Sequence, residues 1–277
     1  MKDSFVSQNP IDKESLKKQK NSSIPILLGI LVVFLVALVG LVVWQFYFNK
    51  QVSNSLQGVY ITDINDKSAV ISWITSQPVK TELVYSTSDV NFLSTLGVKD
   101  SKTGYDKRDL EEVDEFVYKV KKRGKYYAHS VLLRDLKPET QYFFGIKNGI
   151  FLNSTKYVNT FTTTKVREDV EAPDIAYGEV LNQDGKLISD TLLFINLTNL
   201  DDTNQSQTVS YVFDGNTGWS ADLSNLWDKD FKSKYVRDDS AYLNIRVVNS
   251  AGESKKLIKY EDIRPVENIS AYDNLSI

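Results

Sequence analysis

HSVLLRDLKPETQYFFGI, residues His129 to Ile146, reads as two short alternating runs, His129 to Leu133 and Tyr142 to Lys147, parted by Lys-Pro-Glu-Thr. Alternation at period two sends successive side chains to opposite faces of a strand, and proline with small polar residues punctuates between strands. The same grammar runs upstream through GVYITDI, SAVISWI and TELVYST from Gly58, each bounded by Asp, Asn, Ser or Pro, and downstream to Tyr157 to Thr163. In Ser68 to Ile74 the larger alternate set, Ala69, Ile71 and Trp73, is expected to face one core. Short strands with turn signals and no helical crossovers predict an antiparallel sandwich rather than a parallel sheet.

Within the opening stretch, Leu136-Lys137-Pro138-Glu139-Thr140-Gln141-Tyr142 resembles the leucine, proline, threonine and tyrosine signature of fibronectin type III domains. The resemblance implies that Tyr142 forms a tyrosine corner, its hydroxyl tied back to upstream backbone. It also implies that Trp73 is the core tryptophan of the second strand and that YVNTFTT is the last strand. VISWITSQPVKTELVYS together with the opening stretch is most similar to the N-terminal domain that precedes the catalytic domain in purple acid phosphatases, over about Ser55 to Thr164. Those enzymes hold two metals with several His, Asp and Asn ligands in a separate domain that has no counterpart here. The expected domain bounds are 55–164.

Composition narrows the chemistry further. The 277 residues include no Cys and one His, with 25% charged residues, 12% aromatic residues and a net charge of −3. Disulfides, thiolate zinc sites and thiol nucleophiles are excluded, as is a centre built from several imidazoles. Near-neutral charge argues against a dedicated nucleic-acid binder, so no nucleic-acid partner is expected. His129 is the only candidate imidazole base, but it precedes Ser130 on a predicted strand and is expected to be a surface or half-buried strand histidine rather than part of a triad. No strand is followed by clustered glycines and a helix, which excludes a phosphate loop of the familiar kind. Paired carboxylates have no local spacing rule and stay open. Neither catalytic residues, a cofactor nor a metal is expected.

The mean hydropathy of −0.29 averages over an uneven chain. Ile24 to Phe48, IPILLGILVVFLVALVGLVVWQFYF, carries no charge and one amide, Gln45. Pro25 suits a first helical turn, and Trp44, Phe46, Tyr47 and Phe48 gather where amphipathic rings meet lipid headgroups. A cleavable signal peptide would have about 7 to 15 apolar residues and a small-residue cleavage site, whereas this run is longer and continues into WQFYFNKQ. It also lacks the glycine, aromatic and glutamate that open a type IV pilin. We therefore expect a transmembrane signal anchor over 24–48. Lys13, Lys17, Lys18 and Lys20 precede it, and only Lys50 and Lys67 follow closely, which predicts a cytoplasmic N-terminus and an extracytoplasmic remainder. The tail, 1–23, has five Lys and three carboxylates, or +2, leaving about −5 outside. It is too short and polar for a domain of its own.

Thr87 to Lys125 exceeds what a fibronectin-like connection needs. Its acidic run, Asp109, Glu111, Glu112, Asp114 and Glu115, precedes a basic one, Lys119, Lys121, Lys122, Arg123 and Lys125. Val113, Phe116, Val117 and Val120 fit a short surface helix, with Glu115 and Lys119 at i to i+4; a strand from Phe116 to Lys121 fits as well. The run is expected to be a solvated insertion whose charges neutralise one another, with a cationic patch for anionic polymer or lipid headgroups as the alternative.

Lys165 to Pro173 reads as a linker, 165–173, leading to a second β-rich region, 174–268, and a C-terminal tail, 269–277. YGEVLNQDGKLISDTLLFINLTN sets two alternating runs about Gln183-Asp184-Gly185-Lys186, the signal for a hairpin with a type I′ turn. With SQTVSYVFDGNTGWSADLSNL and AYLNIRVVNSAGESKKLIKY, it resembles the carboxypeptidase regulatory-like, transthyretin-like sandwiches over about Ile175 to Pro265. That family has a strand ending in a Gly-aromatic turn, similar to Gly218-Trp219. Asp214, Asn216, Gly218, Ser220 and Asp222 alternate like calcium ligands, but Asn225 stands where a bidentate Glu is needed, so a turn without metal is the expectation. Trp219, Trp227 and Tyr235 fit either a sugar-stacking platform or the end of a core. Six Asn-x-Ser/Thr sequons, at Asn21, Asn153, Asn196, Asn204, Asn268 and Asn274, are the yield of a chain rich in Asn, Ser and Thr. A cysteine-free exterior reads as prokaryotic.

The expected fold class is all-β: two tandem immunoglobulin-like antiparallel sandwiches after one transmembrane helix. The expected role is a non-catalytic, plasma-membrane-anchored surface protein with a protein or polysaccharide ligand. An accessory subunit of a membrane secretion or envelope complex is the alternative, and a hydrolase the remote one.

Overall fold

The computed structural model describes residues 23–53, 56–88, 101–114, 117–148, 151–152, 159–186, 188–216 and 218–271. The basic tail and the sequons at Asn21, Asn153 and Asn274 lie outside the described residues. Helix α1 (Ser23–Ser53) extends five residues past the C-terminal end of the apolar run, because NKQVS contains neither proline nor glycine to stop it. Among the described residues one helix, with its window at Ile26–Trp44, is long and apolar enough to cross a membrane.

The rest is all-β. One sheet of the first sandwich orders β1 (Leu56–Thr62), β2 (Ala69–Val79) and β7 (Tyr126–Leu133) side by side, all antiparallel. The facing sheet orders β10 (Asn159–Thr162), β8 (Gln141–Asn148), β3 (Glu82–Ser86) and β4 (Lys102–Gly104), with β9 (Phe151–Leu152) added to β8. Ala69, Ile71 and Trp73 fall on one face of β2, register with Leu133, Val131 and His129 of β7, and are completely buried. Leu83, Tyr85, Phe144 and Ile146 close the core from the other sheet.

His129 departs from expectation. It is 1% exposed, its ring stacked on Trp73 at 4.9 Å with an interplanar angle of 10°. The period-two rule explains this, since His129 shares a strand face with Val131 and Leu133.

The insertion between β4 and β7 is strand rather than helix. A 3-10 turn, Lys107–Asp109, leads into the hairpin of β5 (Leu110–Asp114) and β6 (Val117–Val120), which sets Glu111 opposite Lys119. Residues 89–100 and 115–116 of this stretch lie outside the described set. Val113 and Val117, which a helix would have gathered into an inward stripe, are 55% and 52% exposed.

In the second sandwich, β13 (Val209–Asn216), β12 (Ile188–Thr198), β15 (Tyr242–Asn249) and β16 (Gly252–Lys259) form one antiparallel sheet. Opposite lie β14 (Gly218–Asp222), β11 (Ile175–Asn182) and β17 (Ile269–Ala271), with β17 parallel to β11. Three expectations are corrected here. The Asp184-Gly185 turn closes through Asn182, which accepts from Gly185 N and donates to Lys186 O, and Gly185 takes the left-handed φ of +74°. The strands it joins then part into different sheets, so the turn is a corner of the sandwich and not a hairpin. Ile269–Ala271 of the expected tail form β17, with Ile269 and Ala271 buried in the core. Gly218-Trp219 opens strand β14 instead of ending one, and Trp219 faces inward at 5% exposure.

Candidate functional site at the seam between the sandwiches

A sandwich normally turns one face of each sheet to water. Here β2 and β12 are buried on both. Along β12, Leu193, Ile195 and Leu197 enter the core of the second sandwich, while Leu192 and Phe194 point the other way, yet Leu192 is fully buried and Phe194 is 4% exposed. They meet the outward face of the first sandwich at Ile74 of β2 and Ala128 of β7, with Val212, Val248 and Tyr60 completing the cluster. Tyr60 and Phe194 stack obliquely at 4.5 Å, and the Arg246 guanidinium lies 5.2 Å and 5.1 Å from the two rings. Full burial of such side chains contributes about 1.5–3 kcal/mol each.

Charge fixes the register of this seam. Asp106 caps the 3-10 turn, accepting from Arg108 N at 3.0 Å and from Ser130 N at 2.9 Å. Arg108 grips both oxygens of Asp106 at 2.8 and 2.9 Å, reaches Asp190 of the second sandwich at 2.7 Å, and donates to the Ala128 carbonyl. Its side chain is 5% exposed and lies 3.6 Å above the Tyr126 ring. The paired carboxylates hold its ionised form above the usual arginine range even though burial opposes charge. Asp190 sits in a bulge of β12 at φ +48°, so the backbone adopts a left-handed turn to aim one carboxylate. Burial pushes Asp190 up, and Arg108 pulls it back.

Asp63, at φ +51° after β1, makes the second bridge. Its N–H donates to Thr208 O at 3.0 Å, and its carboxylate accepts from Ser210 N and Ser210 Oγ at 2.9 and 3.1 Å. Thr62 Oγ1 lies 2.6 Å from Ser210 Oγ. Desolvation pushes the Asp63 carboxyl up to about 6 against those hydrogen bonds. A third contact comes from Phe231, delivered onto the first core by a loop that Asp228 braces through Asp230 N, Lys232 N and Ser233 N.

The stretch expected as linker is strapped down. Arg167 donates to the carbonyls of Asn225 and Leu226 and stacks on Trp227 at 4.6 Å, while Glu171 and Asn225 exchange two hydrogen bonds. Asp174 then gathers Arg237, Arg264 and the Tyr260 hydroxyl.

The residues singled out from sequence serve the two cores. Lys137 N donates to the Tyr142 hydroxyl at 2.9 Å, which makes the tyrosine corner, with Leu136 buried beneath and Pro138 at the exposed turn. Thr140 Oγ1 donates to Pro138 O, and its N–H to Thr163 Oγ1. Trp219, Trp227 and Tyr235 are 5%, 5% and 7% exposed, so they fill the core and offer no platform to a sugar. Among the described residues no cluster of three or more His, Asp or Glu side chains is arranged to hold a metal, and Asp222 is occupied by Asp174 N and Ser224. His129 Nδ1 meets Thr81 Oγ1 at 3.1 Å in the first core, and burial holds its pKa down to about 4.

The seam was not read from sequence. Its signal was in plain sight, because Thr191 to Leu197, TLLFINL, breaks the alternation that a one-sided strand shows. Asp106, Arg108 and Asp190, lost in a charge-rich insertion and a turn, carry no such mark.

The purple acid phosphatase N-terminal domain family matches residues 57–164, the first sandwich. No curated protein matches the chain. Among solved structures, a human fibronectin type III domain is 15% identical over 46% of this chain and 84% of its own, with a TM-score of 0.28. A two-domain fibronectin type III segment of chicken tenascin is 12% identical over 74% and 99%, at 0.20, and the first three fibronectin domains of chicken CNTN1 are 14% identical over 74% and 64%, at 0.24. By strand order, tyrosine corner and family match, residues 57–164 are similar to the fibronectin type III-like domain that precedes purple acid phosphatases.

Proposed function

We propose that this is a single-pass membrane protein that displays two fused β-sandwiches outside the cell as a non-catalytic structural or binding module. The observation that carries the reading is the seam: side chains buried on both faces of β2 and β12, locked by Arg108 and Asp63, join the sandwiches into one body after an apolar helix. Such a body suits presentation of a surface at a set orientation, whereas interdomain hinges suit closure over a substrate. The lysine asymmetry about the helix supports an external location, and the family match supports an accessory rather than catalytic role for the first sandwich.

Absence of cysteine makes the test direct. Ser7→Cys in the tail and Val236→Cys, at a position 75% exposed, are probed on intact cells with a membrane-impermeant maleimide. Labelling of the Val236→Cys protein alone is expected. Labelling of the Ser7→Cys protein alone overturns the orientation, and labelling of neither without lysis overturns surface display.

A further inference from the structure

Between the β5–β6 hairpin and the body of the first sandwich lies a groove of about 570 Å³, within the range of ligand sites. Tyr105 and Tyr118 contribute ring surface, and Tyr118 is 37% exposed with the Arg134 guanidinium 4.3 Å from its ring centre. Lys102, Lys107 and Arg134 bring three cations to the groove, whose lining holds one carboxylate, Asp135; Asp106, Asp63 and Asp214 also attract Lys107 from beyond that lining. Among the described residues none of the three makes an ion pair, although Arg123, Lys147 and Lys256 each find a carboxylate nearby. The part of the chain after the helix carries net negative charge, so a groove lined by three cations and one carboxylate runs against the surface average. Gathering like charges beside a partly desolvated wall is unfavourable unless an anion completes the set.

We infer that this groove binds an acidic saccharide, its ring faces against the tyrosines and its carboxylates on Lys102, Lys107 and Arg134. Anion alone would account for the cations but not for the apolar walls, and a neutral sugar would leave the cations unmatched. An acidic peptide lacks a strand of useful length to pair with, since β4, the sheet edge lining the groove, has three residues. The neighbouring Arg108 turns inward to the seam from the same 3-10 turn that presents Lys107, which holds the groove's basic wall to the rigid part of the molecule.

The inference rests on the display reading for access to external polymer, but the two fail separately. The purified full chain in detergent is titrated by calorimetry with a heptameric oligogalacturonate, with maltoheptaose and with polyglutamate of matched charge. Binding of oligogalacturonate alone is expected, weakened at least tenfold by Arg134→Ala or Tyr118→Ala and more than threefold by Lys102→Glu, and unchanged by the distant Lys186→Ala. Lys102 is exposed, so its charge reversal keeps the test valid should Tyr118→Ala impair folding. Absence of oligogalacturonate binding, equal binding of polyglutamate, equal binding of maltoheptaose, or affinity indifferent to these variants each overturns the inference. Labelling of the Ser7→Cys protein alone would overturn display while leaving this titration measurable.

Discussion

Two buried groups should make the folding stability respond to acid in opposite directions. Asp63 is half-buried beside Thr62, Ser210, Lys107 and Tyr211, and desolvation raises its carboxyl from the ordinary 3.8 to about 6. His129 lies among Trp73, Thr81, Tyr126, Asp106 and Arg108, and desolvation lowers its imidazole from 6.5 to about 4. Between these limits the folded chain holds a proton on Asp63 that the unfolded chain has released, so Asp63 adds stability as pH falls. The unfolded chain holds a proton on His129 that the folded chain refuses, so His129 subtracts stability as pH falls. Near pH 5 to 5.5 each slope approaches about 1.4 kcal/mol per pH unit, with water at the exposed edge of Asp63 trimming its share. The carboxyls held low by hydrogen bonds, such as Asp222 and Asp228, lose their contribution only at lower pH and stay outside this window. The full chain in detergent should therefore show a nearly flat stability between pH 4.5 and 6.5, followed by tryptophan fluorescence in denaturant. Asp63→Asn keeps an acceptor for Ser210 and exposes the histidine slope, so stability should fall by about 2–3 kcal/mol from pH 6.5 to 4.5. His129→Gln should show the reverse, a rise of about 2 kcal/mol over the same interval. Parallel pH profiles for the parent and both variants would refute the reasoning, because they would mean that neither group titrates with folding.

The seam and the cores supply three further tests, each read from the thermal midpoint of the full chain. Arg108→Met strands the buried Asp106 and Asp190 and should cost about 3–5 kcal/mol, whereas Asp190→Asn leaves the Arg108–Asp106 pair intact and should cost only about 1.5–3 kcal/mol. An equal loss from the two would deny Arg108 its place as the hub. Tyr142→Phe removes the acceptor of Lys137 N and nothing else, for a loss of about 1 kcal/mol; no change would mean that the corner is replaced by water at no cost. Gly178→Ala places a methyl 3.0 Å from Val266 Cβ and 3.2 Å from the Val266 carbonyl, so overpacking of about 1–3 kcal/mol is expected, and a stabilised variant would show that β11 has room to spare.

Legibility in this chain followed the number of faces a strand must hide. Where a strand face meets the first core, as in β2, alternation placed Ala69, Ile71 and Trp73 together and Tyr142 announced its own corner, so the strands of the first sandwich were readable, while their pairing and register came only with the structure. The His129 environment was the one lapse, and it came from weighing the residue's chemistry above its position in the pattern. Turn chemistry was readable at Asp184-Gly185 but could not say which sheets the turn joins, because a positive φ at Gly185 serves a hairpin and a sandwich corner alike. Local helical spacing failed at Val113 and Val117 for a related reason, since an exposed two-stranded hairpin imposes no burial pattern to be read. The seam lay beyond a domain-by-domain reading altogether. Each sandwich satisfies its own core, and only the excess, Ile74 beside Trp73 and Leu192 and Phe194 between Leu193 and Ile195, is left to be explained. An antiparallel strand apolar on both faces has to be covered twice, and in a chain with two sandwiches the nearest cover is the other sandwich. Runs that break alternation are thus the places where a sequence of readable domains also records how they are joined, and the polar groups that set the joint, Arg108 and Asp63, are found only after that apolar contact has shown where to look.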